Sequence, residues 1–519
     1  MRRLRAAGGL LAAALCLAIL ASGTVPAASA GGRPLRYLGG DFNTLDPAFI
    51  GDAADVQLLL QLYAGLTRLD ETATVYASLA EGWTVSDDGA TYTFRLRDGL
   101  QFSDGTELTA DDVRRSWLRI LDPATGSYAP DVLTVIRGAT AWRARTGSQD
   151  DVGLEVPDPL TLVVHLEYPA SHFPALVATP TAFVVPPAAD ASDDWQSLGD
   201  FVGSGPYQAD RLEGTSLILA ANPHYVAGPP PIAQIEWLAE ADPSSPEAFV
   251  AEELDLTPVF FGDASWIAYD PELGPHLHPA AALGVQYFGF DTTRPPFDDA
   301  RVRRAFLLAL DRPRLVAQSE GSAATVATSI VPSALWPEGI PADEPSDPEV
   351  ARDLLTQVGY ASGADLGLIA VNANGLNVAP AVATWREELG VEIAVETMDW
   401  VDYLTILPQR PPPIFTVNWI TDYPSPYALY GLLLLPDAAS NHGLWDNAEF
   451  VARMEAAARE TDPGAQHDAY LAVEAVVDAE APVIPWSWDA SHWLVREDLQ
   501  GVGNLTVGLL DFGRLSWAD

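Results

Sequence analysis

Along residues 91–97 apolar and polar positions alternate, with Tyr92, Phe94 and Leu96 on one face and Thr91, Thr93, Arg95 and Arg97 on the other. That two-residue period predicts a half-buried strand. The same logic, or a short β-branched run, predicts strands at 35–38, 216–220, 285–290, 366–371, 391–396 and 414–417, and a turn followed by a strand within 151–166, where Leu160, Leu162, Val164 and Leu166 share a face. Helical spacing predicts helices over 56–66, closing at Gly65, and from a Thr109 cap with Val113, Trp117 and Ile120 on one side, ending before Asp122-Pro123. Further helices are expected over 298–310 with Asp298 as cap, 347–359, 379–390, 448–460 and 463–480. In the 298–310 helix Val302, Ala305, Phe306 and Ala309 form the buried side, and Arg301, Arg303 and Arg304 face outward or pair with acids. Strand, helix and strand over 366–396 make part of the second half doubly wound α/β.

A chain of 519 residues exceeds one ordinary core, so two or three domains are expected. At 48% hydrophobic and 19% charged it reads as globular, and 42 Pro with 40 Gly imply many turns. The first thirty residues stand apart. Arg2, Arg3 and Arg5 precede an apolar stretch at 10–20 and an Ala28-Ser29-Ala30 cleavage site, the pattern of a secretory signal peptide cut after Ala30. Cys16 is the only cysteine and follows Leu15, where a lipoprotein site wants a small residue, so the mature chain has no thiol or disulfide. An exported, periplasmic or extracellular protein is expected. Lys plus Arg total 28, all arginine, against 71 Asp plus Glu, a net of −43. No basic patch could outweigh that field, which excludes nucleic acid as a partner.

One stretch concentrates candidate chemistry. Residues 418–435 read Asn-Trp-Ile-Thr-Asp-Tyr-Pro-Ser-Pro-Tyr and then an aliphatic run, with Pro424 and Pro426 stopping the preceding strand. Two readings fit: Asp422 caps a turn among core aromatics, or it is a partly desolvated carboxylate between aromatic walls, suited to a small cation such as an α-ammonium. Trp486, Trp488 and Trp493 likewise read either as sugar-stacking platforms or as core. Enzyme patterns fail: Gly203-Ser204-Gly205 lacks the glycine spacing of a nucleophile elbow. His276 and His278 lack the helical pairing of a zinc protease, and Gly501-Val502-Gly503 lacks a third glycine. No catalytic residue, metal ligand or cofactor is assigned.

Four segments resemble the solute-binding proteins of peptide-type ATP-binding-cassette importers, family 5 of the extracytoplasmic solute-binding proteins. They are residues 79–123 (LAEGWTVSDDGATYTFRLRDGLQFSDGTELTADDVRRSWLRILDP), Gly203-Ser204-Gly205-Pro206-Tyr207 with Asn222-Pro223-His224-Tyr225, residues 297–316 (FDDARVRRAFLLALDRPRLV), and Trp419-Ile420-Thr421-Asp422. They occur in family order over nearly all of the mature chain. The resemblance implies a mixed α/β, two-lobe periplasmic-binding-protein fold of type II with an extra domain inserted in the first lobe, closing on its ligand by hinge motion. Mapped here, lobe I is 31–77 with 195–283 and 492–519, the inserted domain is 78–194, and lobe II is 284–491. It further implies that Asp422 binds a peptide's α-ammonium with Trp419 beside it, and that Tyr423 matches a tyrosine of oligopeptide-type members. Tyr128 lines the cleft in the same scheme, although 125–129 departs from the family pattern by a gap. The implied partners are a peptide and a membrane permease, with the receptor a monomer. The scaffold also serves relatives that bind nickel chelates, opines or oligosaccharides, and a sensory role is a further alternative.

Overall fold

The computed structural model describes residues 32–518 except 71, 193, 260, 320–323, 337–338, 340–343, 361, 374–375, 399, 422 and 504–508; the side chains of 261, 281, 400, 401 and 404 are likewise outside the description. The signal-peptide reading and Asp422 therefore lie outside the described residues. Among those described, no helix is long and apolar enough to cross a membrane.

Most strands join one 11-stranded mixed sheet. From one edge it runs Glu392–Glu396, Leu368–Asn372, Ile414–Ile420, Leu277–Phe290, Val483–Val495, Leu256–Val259, Leu35–Leu38, Gln234–Leu238, Ser216–Ala221 and Tyr207–Glu213. Thr325–Val326 pairs off this path with Val483–Val495. The two long central strands knit its halves together. Leu277 to Ala281 pair antiparallel with Leu494 to Ala490, the register shifts, and Val285 to Gly289 continue against Trp488 to Val483. Each half carries its own apolar core. One gathers Leu35, Trp237, Leu256, Val495 and Phe512; the other gathers Phe288, Phe306, Trp385, Ile414 and Trp486.

A separate four-stranded antiparallel sheet (Ala80–Val85, Thr91–Leu96, Thr161–His165, Leu154–Asp158) packs against the helix Ala110–Leu121. The alternation at 91–97 decides its inner face: Tyr92, Phe94 and Leu96 are buried against Val113 and Trp117. This unit also touches helices of the second half. Ser171 N–H donates to Ala458 O (2.9 Å), and Gln466 Nε2 donates to Ser171 Oγ (2.6 Å).

Several expected boundaries move. The helix expected over 56–66 is Ala53–Leu62, and Tyr63 is already extended (φ −134°, ψ 165°). Gly65 is needed for close packing, because a Cβ there would stand 2.7 Å from the Phe183 ring. The strand expected at 285–290 begins at Leu277, a start hidden by Pro279 and the alanines after it. The cap of the next helix is Asp299 rather than Asp298, and the helix spans Ala300–Leu308. Arg303 is buried, donating to Phe297 O (2.7 Å) and Glu480 O (2.9 Å) with its carboxylate at 3.2 Å. The strand at 414–417 runs on to Ile420 and so includes Trp419. Trp486, Trp488 and Trp493 are buried core residues, not platforms.

The glycine-serine-glycine turn is structural. A Cβ on Gly203 would meet Leu62 O at 2.3 Å, and one on Gly205 would meet Gln61 O at 2.5 Å. Ser204 Oγ donates to Val184 O and accepts from Ala64 N–H, so it is held inside the packing.

Candidate ligand-binding site

The expected site sits where Ile414–Ile420 leaves the sheet beside the register shift of the long strands. One edge of this strand pairs with Leu277–Phe290 along its whole length. Its other edge pairs with Leu368–Asn372 only at Ile414 and Phe415. In an antiparallel ladder the backbone groups point alternately to either side. Thr416 uses its outward N–H and C=O on the Tyr403 hydroxyl (3.2 and 2.6 Å). Past it, Asn418 and Ile420 direct theirs along an edge that no described strand covers. Both side chains are exposed, Ile420 at 67% despite its size.

Trp419 points to the opposite face, half-buried against the core, with its Nε1 left without a hydrogen-bond partner among the described residues. The next residues are held firmly. Thr421 N–H donates to Leu283 O (3.0 Å), its hydroxyl donates to Tyr423 O (3.0 Å), and Ser425 caps the helix Pro426–Leu434 through Tyr427 N–H (3.2 Å). Both chain neighbours of Asp422 are thus fixed. Tyr423 is buried and stacks on His172 (5.8 Å, 17°), which lies flat on Tyr427 (4.0 Å, 13°). His172 belongs to the four-stranded unit's segment, so this stack ties that unit to the Trp419–Tyr423 stretch. Tyr128 lies elsewhere, exposed and edge-on to Phe49 (5.4 Å), and it shares no ring contact or hydrogen bond with Trp419 or Tyr423.

Burial pushes the His172 imidazole down to about 3, so it is neutral in the folded state. The unfolded chain binds this proton below about 6.5 and the folded chain does not, so stability falls as pH drops through that window. We expect acidification from pH 7 to 4.5 to cost about 2.5 kcal/mol at this one residue. His172→Phe, which keeps a stacking ring, should reduce the difference in Tm between those pH values; an unchanged difference would refute the assignment.

Sequence reasoning passed over a second carboxylate. Asp489 is the lone acid in the run Val483–Val495, which apart from it and His492 is apolar or small. It is half-buried beside the register shift, where a Cβ on Gly284 would stand 2.2 Å from its Oδ2. Its partners are amides: Gln286 Nε2 at 3.4 Å and the Asn418 side chain. Burial holds its carboxyl above the ordinary range, and these two amide hydrogen bonds only partly offset that. No arginine among the described residues pairs with it. Its isolation inside a buried strand was the signal available in the sequence.

Comparison with known proteins places this geometry. Residues 74–441 match the model of the bacterial extracellular solute-binding proteins, family 5 (middle region). The probable deoxycholate-binding periplasmic protein YgiS of Escherichia coli K12 is 32% identical over 465 residues, 86% of each chain. The oligopeptide-binding protein OppA of Bacillus subtilis 168 is 27% identical over 482 residues, 88% of each. Among solved structures, the unliganded open form of the periplasmic murein tripeptide-binding protein MppA superposes with a TM-score of 0.84, covering 93% of this chain and 97% of the other at 23% identity. The fold is therefore the mixed α/β, two-lobe fold of periplasmic binding proteins. The chain belongs to family 5 of the bacterial extracellular solute-binding proteins.

Proposed function

We propose that the protein is the extracytoplasmic receptor of an ATP-binding-cassette importer, which captures peptides between two lobes and hands them unchanged to a membrane permease. The observation that carries this reading is the free edge at Asn418 and Ile420. An extended peptide laid there would add a strand, gaining backbone hydrogen bonds without any demand on its sequence. Asp422, one residue beyond Thr421, is the proposed anchor for its α-ammonium, with Trp419 and Tyr423 as walls; Tyr128 is carried as a further lining residue. The proposed division keeps lobe I at 31–77, 195–283 and 492–519, the inserted domain at 78–194 and lobe II at 284–491. Its support is the passage of two long strands between the two apolar cores, with a register shift at 281–285 where a hinge would bend.

A second reading has a named observation behind it: YgiS is described as binding deoxycholate, an anion. Asp489 counts against an anion here, since a carboxylate with no cationic partner among the described residues would face it across a partly desolvated site. The test is mass spectrometry of the small molecules released when the purified protein is denatured. Peptides of narrow length and varied sequence are expected. A single non-peptide species would overturn the reading.

A further inference from the structure

The open face of the strand Ile414–Ile420 presents Asn418 and Ile420 to solvent, and Asp489 lies on that same face. Neighbouring strands are about 4.8 Å apart, and side chains on one face of adjacent strands lie close enough to interact. The carboxylate leans from its own strand across Leu277–Phe290 toward Asn418, whose side chain hydrogen bonds it, and Gln286 of that middle strand donates to it as well. A peptide strand added outside Ile414–Ile420 would set one of its side chains beside Asn418. Only a long side chain from that position could pass over Asn418 to the carboxylate, and lysine and arginine have that reach.

The surroundings are prepared for a cation. Gln286 presents its amide nitrogen to the carboxylate, while its own Oε1 is buried without a partner among the described residues. Gly284 supplies the room, since any side chain there would take the place that Asp489 Oδ2 occupies. No arginine among the described residues comes to this acid, whereas Asp46, Asp255 and Asp291, all buried, each have one. A half-buried acid whose described partners are amides carries its charge at a cost that an incoming cation would remove.

We propose that Asp489 is a specificity-determining carboxylate of the binding site, which selects a lysine or arginine side chain on the ligand residue lying beside Asn418. This rests on the peptide-capture reading and adds the ligand's charge to it. It also gives the site two separate acids, one proposed for the ligand's amine and one for a side chain.

The test uses alanine tetrapeptides carrying lysine or norleucine at each position in turn, titrated calorimetrically into the mature wild-type protein, Asp489→Asn and Gly284→Ala. The wild type should prefer lysine over norleucine at one position by about tenfold, the scale of a partly desolvated ion pair. Asp489→Asn should bring that ratio close to one. Gly284→Ala, which displaces the carboxylate by steric contact and leaves it charged, should lower the ratio as well. Thermal melts of both variants check that they are folded. If peptides bind but the wild type shows no lysine preference, or the ratio survives in Asp489→Asn, the subsite is refuted and peptide capture stands. If no peptide of the set binds the wild type, the peptide reading falls and this subsite with it.

Discussion

Replacing Asp422 by alanine is expected to weaken binding of free peptides by about 2–5 kcal/mol, the cost of removing one partner from a buried charge pair. The argument is one of desolvation. In the proposed complex lobe closure would strip the α-ammonium of its water, and an ammonium without a charged partner in such a place is strongly disfavoured. The surrounding structure lends this weight, because Thr421 and Tyr423 on either side are locked by hydrogen bonds and stacking. An anchor held by fixed neighbours spends little entropy when the ligand arrives. The diagnostic is the comparison of free and N-acetylated forms of one peptide. Wild type should strongly prefer the free form, and Asp422→Ala should bind both about equally weakly. An equal loss for both forms would show that Asp422 supports the loop and does not meet the amine.

What the sequence disclosed follows from how locally each feature is encoded. The 91–97 alternation, the Thr109 cap and the Pro463–Glu480 helix depend on neighbours within a turn or a strand, and the structure places them as expected. The long strand Leu277–Phe290 was half missed, because its first residues are held by pairing with Leu494 to Ala490, some two hundred residues away, and not by β-propensity. Asp489 and His172 were missed for the same reason. Nothing near His172 in the chain hints that it will lie flat on Tyr427, and nothing near Asp489 hints at Asn418. Trp419 was legible through a family motif, while the exposed edge beside it became visible only once the strand's partners were known. Local periodicity describes elements; the site is made by the crossings between them.

The stability counterpart concerns the root of the second long strand. Asp255 is fully buried and accepts from Arg36 N–H (3.0 Å), Nε (3.0 Å) and Nη2 (2.7 Å), with Arg33 a further partner. Its own carbonyl accepts from Arg496 N–H (3.1 Å), just past Val495, so one residue ties Leu35–Leu38, Leu256–Val259 and the end of Val483–Val495 together. Burial pushes this carboxyl upward, but hydrogen bonds from Arg36, with Arg33 assisting, outweigh it and hold it below the usual range. Arg36→Met keeps most of the stem's packing and removes the main cation, leaving the buried acid with the backbone N–H of residue 36, the half-exposed Arg33 and the neighbouring charge of Arg496. A loss of about 3 kcal/mol is expected at pH 7, the lower end for a broken buried pair because Arg33 remains. The sign with pH is specific. In the wild type the depressed carboxyl contributes stability that is present above about 3.9 and is lost only as pH falls through its lower folded value. In Arg36→Met burial dominates, so the acid is destabilising when charged and harmless when protonated. The gap between variant and wild type should therefore be widest near neutrality and shrink on acidification below the ordinary carboxylate range. Urea unfolding at pH 7 and pH 3.5 measures it. A gap that is constant with pH would mean that Arg36 stabilises by packing alone, and the root of the strand would then be held by its backbone pairing without this ion pair.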